Sequence, residues 1–123
     1  MLLHLDFTVE TPIYQQIRNE IVRRIAWNEL HPGDLLPPIR TLAEDLGINM
    51  MTVSKAYSLL KQEGYLQADR RAGTRVCVPH QEPLPQELQR RLELAVSEAK
   101  VSGASLESVL DLCRAVYEGG EPQ

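Results

Sequence analysis

LGINMMTVSKAYSLLKQEGYL, residues 46–66, decides the fold, because its apolar and polar residues separate onto two sides of one helix. At 100° per residue, Val53, Ala56, Tyr57 and Leu60 fall on one side, and Met51, Ser54, Lys55, Ser58 and Gln62 fall on the other. The second face is polar and basic without an acid, whereas a merely solvated helix face mixes both signs. It is expected to look outward at a partner. Just upstream, Ile39, Leu42, Ala43 and Leu46 have the i, i+3, i+4, i+7 spacing of another buried stripe. Gly47 is placed to end that helix in the left-handed conformation. Two short amphipathic helices joined by a three-residue turn containing glycine are a helix-turn-helix signature.

Working outward, Thr11-Pro12 reads as a threonine N-cap followed by proline at the first helical position. Ile13, Ile17, Ile21 and Ile25 then recur every four residues, and the spacing predicts a helix to about Asn28. HPGDLLPP (31–38) is punctuated by Pro and Gly and reads as a loop. After Gly64, Leu66 and Ala68 alternate with Gln67, and Val76 and Val78 alternate with Arg75 and Cys77. Asp69–Gly73 makes a tight basic connection between them, so the pattern predicts a β-hairpin with arginines at its tip, the wing of a winged helix. Pro79, Pro83 and Pro85 mark a boundary. Beyond it, Leu84, Leu88, Leu92, Ala95, Val96 and Ala99 form one helical stripe. Leu106, Val109, Leu110, Cys113, Val116 and Tyr117 form another, with Ser105 as its N-cap. Two helices enclose no core, so their stripes need another surface. The expected architecture is mainly α with a small β-hairpin. Residues 1–78 form a winged helix-turn-helix, and residues 79–123 a two-helix dimerisation segment whose contacts are Leu88, Leu92, Val96, Val109, Leu110 and Val116.

The net charge of −4 is misleading about partners. Residues 1–78 carry nine basic and nine acidic side chains, while residues 79–123 carry four and eight. Within the balanced part, Leu46–Gln62 and Arg70–Gln81 contain basic residues and no acid, enough for a local positive face. Cys77 and Cys113 form no CxxC pattern, and His4, His31 and His80 have no second ligand at metal spacing. We expect reduced thiols, with Cys113 packed in its helix stripe, and no metal or cofactor. No nucleophile–base pair, carboxylate dyad or phosphate-cradling glycine loop suggests an enzyme. No apolar run spans a membrane and no secretory leader follows Met1, so the expected location is the cytoplasm.

The ordered motifs PIYQQI, PGDLLP, IRTLAEDL, GIN and TVSKAY…L…EGYL, from about Thr11 to Val76, resemble the N-terminal winged helix of the GntR family of bacterial transcription regulators. The wording around TVSKAY and the short two-helix tail are similar to the YtrA subfamily, whose members often sit near transporter genes. The resemblance implies a homodimeric repressor on a pseudo-palindromic double-stranded DNA operator. By position it places Arg40 and Thr41 of the second helix at DNA and Asn49 at the start of the recognition helix. It puts the Thr52 hydroxyl at phosphate, Ser54 and Lys55 on the groove face, and Gly73-Thr74 in the wing. Three departures are plain: Pro38 replaces a capping serine, Met50 and Met51 replace proline and asparagine, and Arg71 and Arg75 replace a glycine and an aromatic.

Side-chain chemistry supports these placements. Lys55 can donate to guanine or phosphate, Ser54 can pair with either base type, and Met50 and Met51 can touch thymine methyls; Asn49, Ser54 and Lys55 are expected to read bases, and Arg40, Thr52 and Arg70 to hold phosphates. Arg70 and Arg71 suit phosphates or a narrow minor groove. The alternative is a winged helix for protein contact, whose recognition face would be apolar or acidic. An effector, should one exist, is expected at the dimer interface or between the two domains.

Overall fold

The computed structural model describes Met1, residues 3–78 and residues 83–119. In chain order its elements are α1 (Ile13–Ala26), α2 (Ile39–Leu46), α3 (Met50–Gln62), β1 (Leu66–Asp69), β2 (Gly73–Val76), α4 (Gln86–Val101) and α5 (Leu106–Glu118). They fall into two compact units, Met1–Pro79 and His80–Gln123. Pro79, read as a boundary residue, and His80, read as lacking a second ligand at metal spacing, lie outside the described residues.

In the first unit the isoleucine repeat of α1 packs on α3. Ile17 and Ile21 meet Leu42, Val53, Ala56, Tyr57 and Leu60 in one buried cluster, closed by Leu36, Leu66 and Val76. All four apolar positions expected to face inward on α3 are buried. Leu3 joins this core, and Met1 and Leu5 pack against it. That contribution from the N-terminal segment has no periodic signature in the sequence. The Tyr57 hydroxyl donates to the Pro37 carbonyl at 2.7 Å, tying α3 to the loop before α2. Burial pushes its phenol well above the ordinary value. Tyr57→Phe is expected to lower stability by about 1 kcal/mol, the net worth of one internal hydrogen bond. Thermal denaturation followed by circular dichroism should show a loss of several degrees.

The start of α1 corrects the expected threonine cap, while that of α2 lacks a side-chain cap as Pro38 in place of serine implies. α1, α2 and α4 each begin after a proline N-cap, Pro12, Pro38 and Pro85, with no side-chain cap. Their φ values of −56°, −56° and −55° with extended ψ put each carbonyl in line to accept the first helical hydrogen bond. Gln16, Leu42 and Gln89 donate to them at 3.1, 3.0 and 2.9 Å. Thr11 is therefore one residue too early to be the cap of α1. Proline's fixed φ holds the entry geometry in place of a hydroxyl. α1 also ends two residues before the expected Asn28, which sits at φ 61° just beyond the helix. Gly47 does end α2 as expected, at φ 68° in the left-handed region.

The hairpin pairs antiparallel in the register Leu66↔Val76, Gln67↔Arg75, Ala68↔Thr74 and Asp69↔Gly73. The expected inward alternation stops early: Leu66 and Val76 are buried, but Ala68 is exposed and Val78 lies past the end of β2. HPGDLLPP is more than a loop. Gly33 and Leu36 N–H donate to the Val76 and Thr74 carbonyls, and Val76 N–H donates to Asp34, at 2.8–2.9 Å. Leu35 forms a bridge to Arg75, so the segment lies along β2 as a third, very short edge.

Arg18, although buried, donates through Nε and Nη2 to both oxygens of Glu63 at 2.9 and 2.8 Å, joining α1 to the end of α3. In the second unit α4 packs on α5, and Ser105 caps α5 by accepting from Ser108 N–H at 3.1 Å. Neither helix has a buried residue. Leu88, Leu92, Val96, Leu110 and Val116 are each 38–50 % exposed. Cys113, expected to be packed, is exposed, because none of the described residues buries the stripe to which it belongs.

Candidate nucleic-acid interface

α3 presents the polar face that its periodicity predicts. Met51, Lys55, Ser58 and Gln62 are exposed and Ser54 is half-buried. Met51 is 76 % exposed and Met50 45 %, so neither is a core residue. Asn49 is the N-cap of α3: its Oδ1 accepts the Met51 N–H at 2.7 Å. That bond fixes the start of the helix and uses the side-chain oxygen, leaving the amide N–H groups as its outward donors. Thr52 is half-buried in the first turn. Met51, Thr52, Ser54 and Lys55 line one open hollow together with Tyr14 of α1, a residue that sequence reasoning did not select.

Arg40 and Thr41, near the start of α2, are exposed. Among the described residues, Arg40, Lys55, Lys61, Arg70 and Arg71 make no ion pair. The other cations of this unit are neutralised within the fold: Arg18 by Glu63, Arg23 and Arg24 by Glu20, Arg24 also by Glu29, and Arg75 by Asp69. The balanced charge of residues 1–78 thus resolves into paired cations and a set of exposed ones on α2, α3 and the wing tip.

In the wing, Arg70, Arg71 and Ala72 connect the strands. Gly73 has φ 106°, a backbone that other residues rarely adopt, and a Cβ there would meet nothing within 4 Å. The need for glycine is conformational, and the space beside it is open. Thr74 is half-buried in β2. Arg75, counted in the sequence as part of the basic window, is engaged elsewhere: its Nε donates to Asp69 and its Nη1 to the Gly33 carbonyl, both at 3.1 Å. It anchors the wing to the preceding loop.

Asp69 also accepts the Arg71 and Ala72 N–H groups at 2.9 and 3.3 Å. The Arg71 N–H, the Arg75 guanidinium and the Ala72 N–H together hold its pKa below the ordinary 3.8. A depressed carboxylate pKa favours the ordered turn above the ordinary value, and the contribution is lost as pH falls through the folded value. The wing tip is therefore expected to loosen in acid with a midpoint below that of a free aspartate. The amide shifts of Arg71 and Ala72 in an NMR titration should report it, and Asp69→Ala should abolish the step.

A model of the gntR family of bacterial regulatory proteins matches residues 13–76, which is α1 through β2. The chain belongs to the GntR family. Within the GntR family its likeness is to the YtrA subfamily. The HTH-type transcriptional repressor YtrA of Bacillus subtilis is 38 % identical over 73 residues, 59 % of this chain and 56 % of that protein, so the match spans only about half of the relative. The solved structure of YtrA from Sulfolobus acidocaldarius superposes with a TM-score of 0.67 at 36 % identity, over 82 % of this chain and 99 % of that one. The DNA-binding domain of AraR in complex with its operator superposes with a TM-score of 0.52 at 26 % identity, over 63 % of this chain and 94 % of that one. This GntR-family chain is a DNA-binding transcription regulator with a winged helix-turn-helix. Among the described residues, no helix is long and apolar enough to cross a membrane.

Proposed function

We propose that the chain is a cytoplasmic, non-enzymatic repressor that binds a pseudo-palindromic operator as a homodimer. The unit of residues 1–78 reads DNA, and the pair of helices in residues 79–123 joins two copies. The observation that carries this reading is the set of exposed cations on α2, α3 and the wing tip that make no ion pair among the described residues, in a unit whose other basic side chains are neutralised internally.

In this reading α3 enters the major groove. Arg40, Thr41, Thr52 and Arg70 hold phosphates and so set register without reading sequence. The Asn49 amide, Ser54 and the exposed Met50 and Met51 meet base edges and thymine methyls. Arg71 holds a phosphate beside the minor groove, to which Gly73-Thr74 brings the wing tip. Support for dimerisation comes from α4 and α5, where, among the described residues, Leu88, Leu92, Val96, Leu110 and Val116 stay exposed and Val109 is only half-buried. A hollow of about 400 Å³ between these helices, lined by Val96, Lys100, Leu106 and Val109, is filled by the second copy. Two-fold symmetry of the protein then requires two-fold symmetry of the site. Occupying a promoter blocks polymerase, and the YtrA likeness favours transporter genes as targets.

The test is fluorescence anisotropy against two duplexes, the DNA upstream of the chain's own gene and a scrambled control, each across a salt series. The expected result is tighter binding to the first, with log K falling steeply and linearly with log salt concentration. Equal affinity for both duplexes would contradict an operator at that location. No binding at low salt would contradict the reading.

A further inference from the structure

We propose that Tyr14 is a positioning residue of the DNA interface. Its ring holds the Lys55 ammonium on the α1 side of the recognition helix, where Lys55 neutralises a backbone phosphate instead of reaching a base edge. The inference rests on the DNA-binding reading above and deepens it.

The Lys55 Nζ lies 4.1 Å from the centroid of the Tyr14 ring. That is well inside the range over which the negative face of an aromatic attracts a cation. The two partners differ in stiffness. Tyr14 is half-buried on the second residue of α1, and the following turns of that helix are locked by Ile17 and Ile21, both 0 % exposed in the core. Lys55 is an exposed side chain on a flexible four-carbon stem. A fixed platform and a mobile cation mean that Tyr14 sets where Lys55 goes, and the reverse does not hold.

The hollow that the pair lines is open, about 480 Å³, and completed by Met51, Thr52 and Ser54. It therefore offers an anion one ammonium and the hydroxyls of Thr52 and Ser54, with no carboxylate beside them. That donor set suits a single anionic oxygen group. An ammonium is a compact point charge with rotatable donors, the form in which lysine binds phosphate. Drawn over a ring on α1, the ammonium is displaced from the outward centre of α3 toward its flank. A helix in the major groove meets base edges at its centre and the phosphates at its flanks. Side-chain chemistry on α3 alone leaves Lys55 equally suited to guanine and phosphate; the contact from α1 assigns it to phosphate.

The experiment is a double-mutant cycle on the full chain with Tyr14→Leu, Lys55→Met and both, plus Tyr14→Phe. Affinities are measured on a duplex selected from a random pool and on its scrambled control, across salt. Tyr14→Leu is expected to weaken binding roughly fivefold, the effect of removing one cation–π interaction in a partly desolvated setting. Tyr14→Phe should bind like the parent chain, and Tyr14→Leu should have no further effect once Lys55 is methionine. Lys55→Met should lower the salt slope by about one on both duplexes alike. In the free protein, the Lys55 ε-methylene protons should be displaced upfield by the ring and return to ordinary values in Tyr14→Leu.

Equal weakening by Tyr14→Leu with and without Lys55 would overturn the proposal, because the ring would then act only through the fold. A loss of discrimination at one base pair in Lys55→Met, in place of a uniform loss, would also overturn it. The methylene shift in the parent chain needs no variant, so an ordinary value there overturns the proposal even if Tyr14→Leu does not fold. Failure of the parent chain to prefer the selected duplex is a different result: it removes the DNA reading itself, and this inference with it.

Discussion

Replacing Leu110 with aspartate is expected to leave the winged helix folded while abolishing dimerisation and, with it, tight operator binding. Leu110 is 38 % exposed on α5, whose stripe with Val109 and Val116 has no buried residue in the isolated chain. Burying a leucine against a second copy stabilises the complex by about 1.5–3 kcal/mol, and a carboxylate in its place faces a desolvation penalty without a partner. In a two-fold interface each change occurs twice, so the expected loss is at least about 3–6 kcal/mol per dimer. That corresponds to a rise in the dimer dissociation constant of roughly 10²- to 10⁴-fold. Light scattering at micromolar concentration should show a dimer for the parent chain and a monomer for Leu110→Asp. Thermal unfolding of the winged helix should change little, because its core, built on Ile17, Ile21, Tyr57 and Leu60, draws all its buried residues from the first unit. A parent chain that is already monomeric would contradict the dimer.

The second large effect is electrostatic. The triple variant Arg40→Ala, Arg70→Ala, Arg71→Ala removes three exposed cations that make no ion pair among the described residues. Surface changes of this kind leave stability within about 0.5 kcal/mol, so the folded state should persist. Each phosphate contact contributes about 0.9 to the salt slope, so the slope should fall by about three. Affinity near physiological salt should fall on the order of 10²-fold, on operator and scrambled duplex alike if these residues set register and carry no sequence information. Anisotropy titrations at four or five salt concentrations measure both quantities. An unchanged slope would remove all three arginines from the phosphate contacts.

The sequence was most informative where the physics is local. Helical period alone located Val53, Ala56, Tyr57 and Leu60 in the core and Met51, Lys55, Ser58 and Gln62 outside it, because a helix converts spacing directly into direction. Gly47 was legible for a similar reason, since ending a helix in the left-handed region favours glycine. Contacts between residues distant in sequence were not legible. Arg18 meets Glu63 across 45 positions, and Leu35 bridges Arg75. No periodicity encodes either pairing, so Arg75 read as an available cation until Asp69 and Gly33 were seen to hold it.

The interface was legible in the same partial way. The outward face of α3 followed from its spacing, but Tyr14 did not, because its place in α1 reads simply as part of the helix that packs on the core. Only the packing of α1 on α3 brings its ring to Lys55. The helix starts show a different limit. Thr11-Pro12 satisfies two capping patterns one residue apart, and the choice rests on backbone angles that composition does not reveal. Cys113 shows a third: an apolar stripe predicts burial, but the covering surface need not belong to the same chain.

Reading of DNA by two copies of this winged helix, through a two-fold symmetric pair of recognition helices, is tested most directly by selection. Duplexes are drawn from a random-sequence pool with the intact chain, and the bound fraction is sequenced. The expected result is one enriched motif of two inverted half-sites, their centres an integral number of helical turns apart, with two chains bound per duplex. A single unpaired half-site, direct repeats, or no enrichment over the starting pool would contradict it.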